Sequence, residues 1–174
     1  MASKTGKTAK KNSKTVPILG AVLAVLAVVM IVALCFPQSG GTAEFTPPPF
    51  EENAVSGVPK VSENLGYSSP YKEGMTYRFS VCGNVTAKGN DAVVYLTNAE
   101  ENKVWLKLRV LDENGQLLGE TGVLRPGEYV QYVTLKTVPP AGTKITLKIM
   151  GYEPETYHSA GSATLSTVMG DTTN

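Results

Sequence analysis

His158 is the only histidine in the chain, and its setting, YEPETYHSAGS, supplies Glu153, Glu155 and Ser159 nearby. These residue types serve acyl or proton transfer, with an imidazole as base, a carboxylate to orient it and a hydroxyl as nucleophile. The spacing argues against that use. Neighbours on a strand point to opposite faces, and Pro154 between the two glutamates implies a bent loop. His158 is therefore expected on a surface loop. Cys82 has no Cys-x-x-Cys companion, and Cys35, the other cysteine, lies far upstream, so a small buried thiol is expected rather than a redox centre. DENG at 112–115 lacks the alternating acidic ligands and distal glutamate of a calcium loop. KTGKT at 4–8 lacks the strand and helix that make a phosphate loop. No catalytic, cofactor-binding or metal-ligating set emerges, and the chain reads as non-enzymatic. Aromatic residues remain: Trp105, with Tyr152 and Tyr157, forms the candidate binding surface. Trp105 falls opposite the strongest apolar stripe, so it is either a ligand platform or a ring packed on a neighbouring lysine stem.

The elements that must position these residues are strands. From Gly74 to Gly170 short apolar runs alternate with turn residues. The clearest is VWLKLRVL, 104–111, where Val104, Leu106, Leu108 and Val110 share one face and Trp105, Lys107, Arg109 and Leu111 the other. DENG then supplies a hairpin, and RPGE at 125–128 a Pro-Gly turn of type II character. YVQYVTL, KITLKIMGY and SATLSTVMG complete the pattern. An all-β, antiparallel, Ig-like β-sandwich of seven or eight strands is the fold expected over 74–170, with a short tail at 171–174.

Upstream the composition changes. Residues 16–36, 21 in all, carry no charge and are mostly Val, Ala and Leu. As a helix they would span ~31 Å, the thickness of a hydrocarbon core. Five lysines precede them within the first sixteen residues, and the first charge afterwards is Glu44. The positive-inside rule then predicts a basic cytoplasmic tail at 1–15, a single-pass signal anchor embedded in membrane lipid at 16–36, and everything later outside the cell membrane. A cleaved secretory signal is the competing reading, although its apolar stretch is usually shorter and the small-x-small pattern is poorly met at Ala33-Leu34-Cys35. Residues 37–73, rich in Pro, Gly and Ser, read as a flexible linker. Within it FTPPPF, 45–50, has the form of a docking peptide or of two rings that pack on the domain. Beyond the first sixteen residues there are 16 − 5 = 11 basic side chains against 15 acidic ones, which argues against a nucleic-acid partner.

LRVLDENGQLLGETGVLRPGEYVQYVTL resembles Ig-like modules of secreted and surface-anchored proteins of Gram-positive bacteria, including the FxLYD and CARDB-like groups. The matching residues are Asp112 and Gly115 of the hairpin and Pro126, Gly127 and Glu128 of the following turn. The resemblance implies a fold and a compartment, that of an extracytoplasmic β-domain. Separately, the partner expected is an envelope or surface protein, and no cofactor is expected. The function expected is that of a membrane-tethered interaction module, an accessory subunit of an envelope assembly, with an adhesin-like domain or a structural spacer as alternatives and an envelope hydrolase as a remote one.

Overall fold

Alternation along the strands governs the fold. A computed structural model describes residues 45–69 and 76–172. The expected tail and anchor, most of 37–45, and residues 70–75 and 173–174 lie outside the described residues. Among those described, no helix is long and apolar enough to cross a membrane. The described residues form ten strands: β1 (Val55–Ser56), β2 (Tyr67–Ser68), β3 (Phe79–Cys82), β4 (Val85–Lys88), β5 (Asp91–Asn98), β6 (Trp105–Leu111), β7 (Leu117–Glu120), β8 (Glu128–Thr134), β9 (Lys144–Tyr152) and β10 (Ser159–Thr172).

They form one curled sheet in the order β1-β8-β5-β4-β10-β9-β6-β7, with β2 on β3 and β3 on β5. The curl depends on β10, whose 14 residues are long enough for two ladders. Ser159–Val168 runs antiparallel to β9, and Met169 and Thr172 pair with β4. That second ladder is parallel, so the sheet is mixed rather than purely antiparallel as the sequence suggested. A hairpin signal predicts only local reversals; β4 and β10 lie far apart in sequence and meet through the curl. The opposite end also folds inward, as the Lys136 N–H donates to Leu118 O at 2.8 Å. A Cβ on Gly119 would stand 2.5 Å from Thr134 O, so glycine is required there.

Inside the curl the alternation delivers a continuous apolar core. Leu106, Leu108 and Val110 of β6 meet Ile145, Leu147 and Ile149 of β9 and Val81, Val85, Val94 and Leu96 of the facing strands, all essentially without exposure. Turn chemistry follows the sequence closely. Asp112 Oδ1 accepts from the N–H groups of Asn114 and Gln116 at 2.9 and 2.7 Å, and Gly115 takes φ 78°. At the second turn Gly127 takes φ 79° and the Glu128 N–H donates to Arg125 O at 3.1 Å.

The folded unit begins at Thr46, not at Gly74. Over its described residues, the segment read as linker is a strap applied to the sheet. The Glu51 N–H donates to Val123 O at 3.0 Å and the Val123 N–H to Pro49 O at 2.9 Å, a parallel bridge between Phe50 and Val123. The strap then adds β1 to the edge of β8, buries Pro59 and ends as β2 on β3. Gly122 makes this possible: a Cβ there would lie 2.5 Å from the backbone of Glu51. Contributions of two residues each leave no periodicity, which is why composition alone reads as linker.

Candidate functional site

The expected binding residues come together on the outer face of β6 and β9. Trp105 is the cross-strand partner of Tyr152, and Tyr157 reaches the same place from the 153–158 loop. That loop is tight: the Glu153 N–H donates to His158 O at 2.9 Å, the Tyr157 N–H donates to Glu153 O at 3.0 Å, and Glu155 and Tyr157 take φ 64° and 56°. The Tyr157 ring stands edge-on to Trp105 with centroids 5.2 Å apart. Phe50 from the strap meets Trp105 at 4.9 Å, and Arg125 lies over Phe50 with Cζ 3.6 Å from the ring centroid. Trp105 is thus held between two rings, and part of its platform is covered by this chain's own Phe50. The FTPPPF stretch places that ring on its own domain, while Phe45 is exposed.

The lysine next along this face has its ammonium committed to a carboxylate. Lys107, only 7% exposed, is engaged by Glu120 Oε1 at 2.9 Å, while Arg109 Nε holds Oε2 at 2.8 Å. Burial alone would raise the Glu120 carboxyl, but the hydrogen bonds and charges of Lys107 and Arg109 outweigh it and hold the group below the usual carboxylate range. His158 is exposed in its loop, with Nδ1 3.8 Å from Glu153 Oε2 and its backbone N–H donating to Thr156 Oγ1 at 3.3 Å. Among the described residues no group of three or more His, Cys, Asp or Glu side chains could hold a metal ion.

A second aromatic face was not foreseen. Tyr67, Tyr95, Tyr129 and Tyr132 lie on the outer side of the sheet formed by β1, β8, β5, β3 and β2. A bulge creates it: between the pairs Val93–Tyr132 and Leu96–Val130 the register shifts, and Tyr95 takes φ 47°. Gln131 Nε2 donates to the hydroxyls of Tyr95 and Tyr132 at 2.6 and 2.7 Å. Thr97 donates to Tyr95 O at 3.2 Å and its hydroxyl is 2.7 Å from Tyr67 Oη. The Tyr67 and Tyr95 rings meet edge-on at 6.5 Å. A clean period in DAVVYLTN and EYVQYVT would have revealed this face, but the bulge interrupts it: Val130 and Val133 are both buried although three residues apart.

Beneath this tyrosine layer lies Cys82, the cross-strand partner of Tyr67 and wholly buried. Burial pushes its thiol up to about 11. The thiolate is disfavoured in the fold, so the unfolded chain loses its proton first as pH rises. Stability associated with Cys82 is therefore fully present below pH 9 and declines between pH 9 and 11. Denaturant unfolding of the wild type and Cys82→Ala should show a difference that shrinks over this interval; parallel pH curves would contradict the assignment.

No family model matches the chain, and no curated protein matches it significantly. One solved structure, Ruminococcus gnavus β-glucuronidase in complex with uronic isofagomine, aligns with 52% of this chain and 14% of its own at 18% identity and a TM-score of 0.36. At that score the likeness carries no argument about fold or activity.

Proposed function

We propose that the chain is a membrane-tethered, extracytoplasmic interaction module. In this reading an Ig-like sandwich is held outside a Gram-positive cell membrane by a single helix at 16–36, with the N-terminus cytoplasmic, and serves as an accessory subunit that binds an envelope or surface protein. The observation that carries it is the placement of the rings. Among the described residues the buried core contains two aromatic residues, Tyr77 and Phe79, whereas Phe50, Trp105 and Tyr157 form one outer cluster and Tyr67, Tyr95 and Tyr132 belong to another. A spacer requires only a core. Tyr and Trp outside it offer large contact area at low rotamer cost and a polar tip, the properties that enrich them at binding hot spots. The uncharged 16–36 run behind five lysines supports the tether and its orientation.

The test is crosslinking of intact cells with a membrane-impermeant amine reagent, followed by capture through an N-terminal tag. Lys60, Lys88, Lys103 and Lys144 should react while Lys4, Lys7, Lys10, Lys11 and Lys14 stay unlabelled, and one or a few envelope proteins should co-purify. Capture should fall at least tenfold in Trp105→Ala. Labelling of the N-terminal lysines would overturn the topology, and undiminished function after deletion of 74–170 would leave only a spacer.

A further inference from the structure

We propose that the tyrosine face is a binding site for a neutral, polyhydroxylated chain, a glycan strand lying across β8, β5 and β2. The inference rests on the reading of the protein as an extracytoplasmic binding module, but uses a surface other than the one that carries Trp105.

The face is bounded by two open clefts. One, of about 300 Å³, is lined by Asn53, Asp91, Tyr129, Gln131, Tyr132 and Thr134. The other, of about 690 Å³, takes in Tyr67, Ser69, Ser80, Thr97, Glu100 and Glu101. One cross-sheet row connects them: Val55 pairs with Tyr129, Tyr129 with Thr97 and Thr97 with Ser80. Ser80 in turn hydrogen-bonds Ser69 at 2.6 Å. The ladder spacing of ~4.8 Å per strand makes this row about 19 Å long, the scale of several linked sugar rings.

The lining chemistry selects the ligand. Among the described residues no lysine, arginine or histidine lines either cleft, so phosphate, sulfate and uronate groups find no countercharge there. A purely apolar ligand would leave the amide, hydroxyl and carboxylate groups of both clefts desolvated without partners. Sugar rings satisfy both requirements, because their C–H faces lie against aromatic rings while their hydroxyls donate and accept. Asp91 illustrates the fit: one carboxylate oxygen already accepts from Thr134 Oγ1 at 2.6 Å, which fixes the group and leaves the other oxygen to accept a ligand hydroxyl. Gln131, tied to two phenols, holds the Tyr95 and Tyr132 tips together as a cluster of donors and acceptors. Tyr95 keeps this position in a left-handed conformation that residues other than glycine seldom adopt. A sheet face serving only as a solvent boundary would not require that conformation.

The full-length chain should be titrated calorimetrically with cellohexaose, chitohexaose and maltohexaose, and with a hexauronate as the charged comparison. At least one neutral hexasaccharide should bind with Kd below about 1 mM and at least tenfold more tightly than the hexauronate. Tyr132→Ala and Gln131→Ala should each weaken that binding tenfold or more with Tm unchanged within a few degrees, while Trp105→Phe leaves it intact. The proposal is overturned if no neutral hexasaccharide binds below 5 mM, if the hexauronate binds as well, or if Tyr132→Ala has no effect. Failure of the protein-partner reading appears separately, as intact sugar binding with no crosslinked envelope protein. Loss of crosslinked protein in Tyr132→Ala, without sugar binding, would reassign the face to a protein partner and overturn the glycan site.

Discussion

Deleting 46–69 from the full chain is expected to abolish cooperative folding of the β-domain, although the deleted residues have the composition of a linker. The deletion removes backbone bonds at Val123, Gly127, Gly83 and Asn84, each between 2.8 and 3.0 Å in the folded domain. It also removes the carboxylate of Glu51, which accepts from the Gly122 N–H at 2.7 Å, and the Phe50 ring against Trp105. At about 1 kcal/mol net per hydrogen bond and ~1 kcal/mol for a half-buried ring, the loss exceeds about 5 kcal/mol. Whole domains are stable by only about 5–15 kcal/mol. Thermal unfolding followed by circular dichroism would decide it: a melt within a few degrees of the intact chain would show the strap to be dispensable. Gly122→Ala should reproduce part of the effect, because its Cβ would collide with the Glu51 backbone rather than with a flexible side chain.

Asn98→Asp is the single-atom counterpart. Asn98 has no exposure, and its Nδ2 donates to Val104 O and Leu124 O at 2.9 and 3.0 Å, while Oδ1 accepts from Asn102 at 2.7 Å. An aspartate would turn a carboxylate oxygen toward two carbonyls and bury an unpaired charge, costing about 3–5 kcal/mol at pH 7. Protonation restores one donor, so the variant's carboxyl is pushed above the ordinary Asp range in the fold. Its stability should be greatest below the unfolded pKa and fall as pH rises through the folded one. Chemical unfolding at pH 4 and pH 7 should therefore show partial recovery in acid for Asn98→Asp and none for Asn98→Ala. Equal losses at both pH values would mean that the site hydrates instead.

What could be read from the sequence was what side-chain period encodes. Leu106, Leu108 and Val110 were legible as inward residues, Ile145, Leu147 and Ile149 likewise, and the glycines of both turns declared the required positive φ. The proximity of Trp105, Tyr152 and Tyr157 was legible because they lie on or beside two of the most regular strands. The strap, the parallel pairing of β10 with β4 and the tyrosine face were not. Strap pairing is made by backbone groups that every residue possesses, the parallel ladder joins residues some eighty positions apart, and Tyr95 faces outward only because a bulge breaks the alternation that would be used to place it.

The strap also determines how tension enters the domain. A pull on the chain at residue 45 reaches the core first through the bridge at Phe50 and Val123, then through two residues of β1, and only afterwards through β2 and β3. These are short contacts that yield in sequence, whereas β9 and β10 are joined along eight paired positions. Peeling the 24 residues from 46 to 69 would add on the order of 80 Å of contour length. It would also lift Phe50 from Trp105, so the same force that lengthens the chain uncovers an aromatic ring.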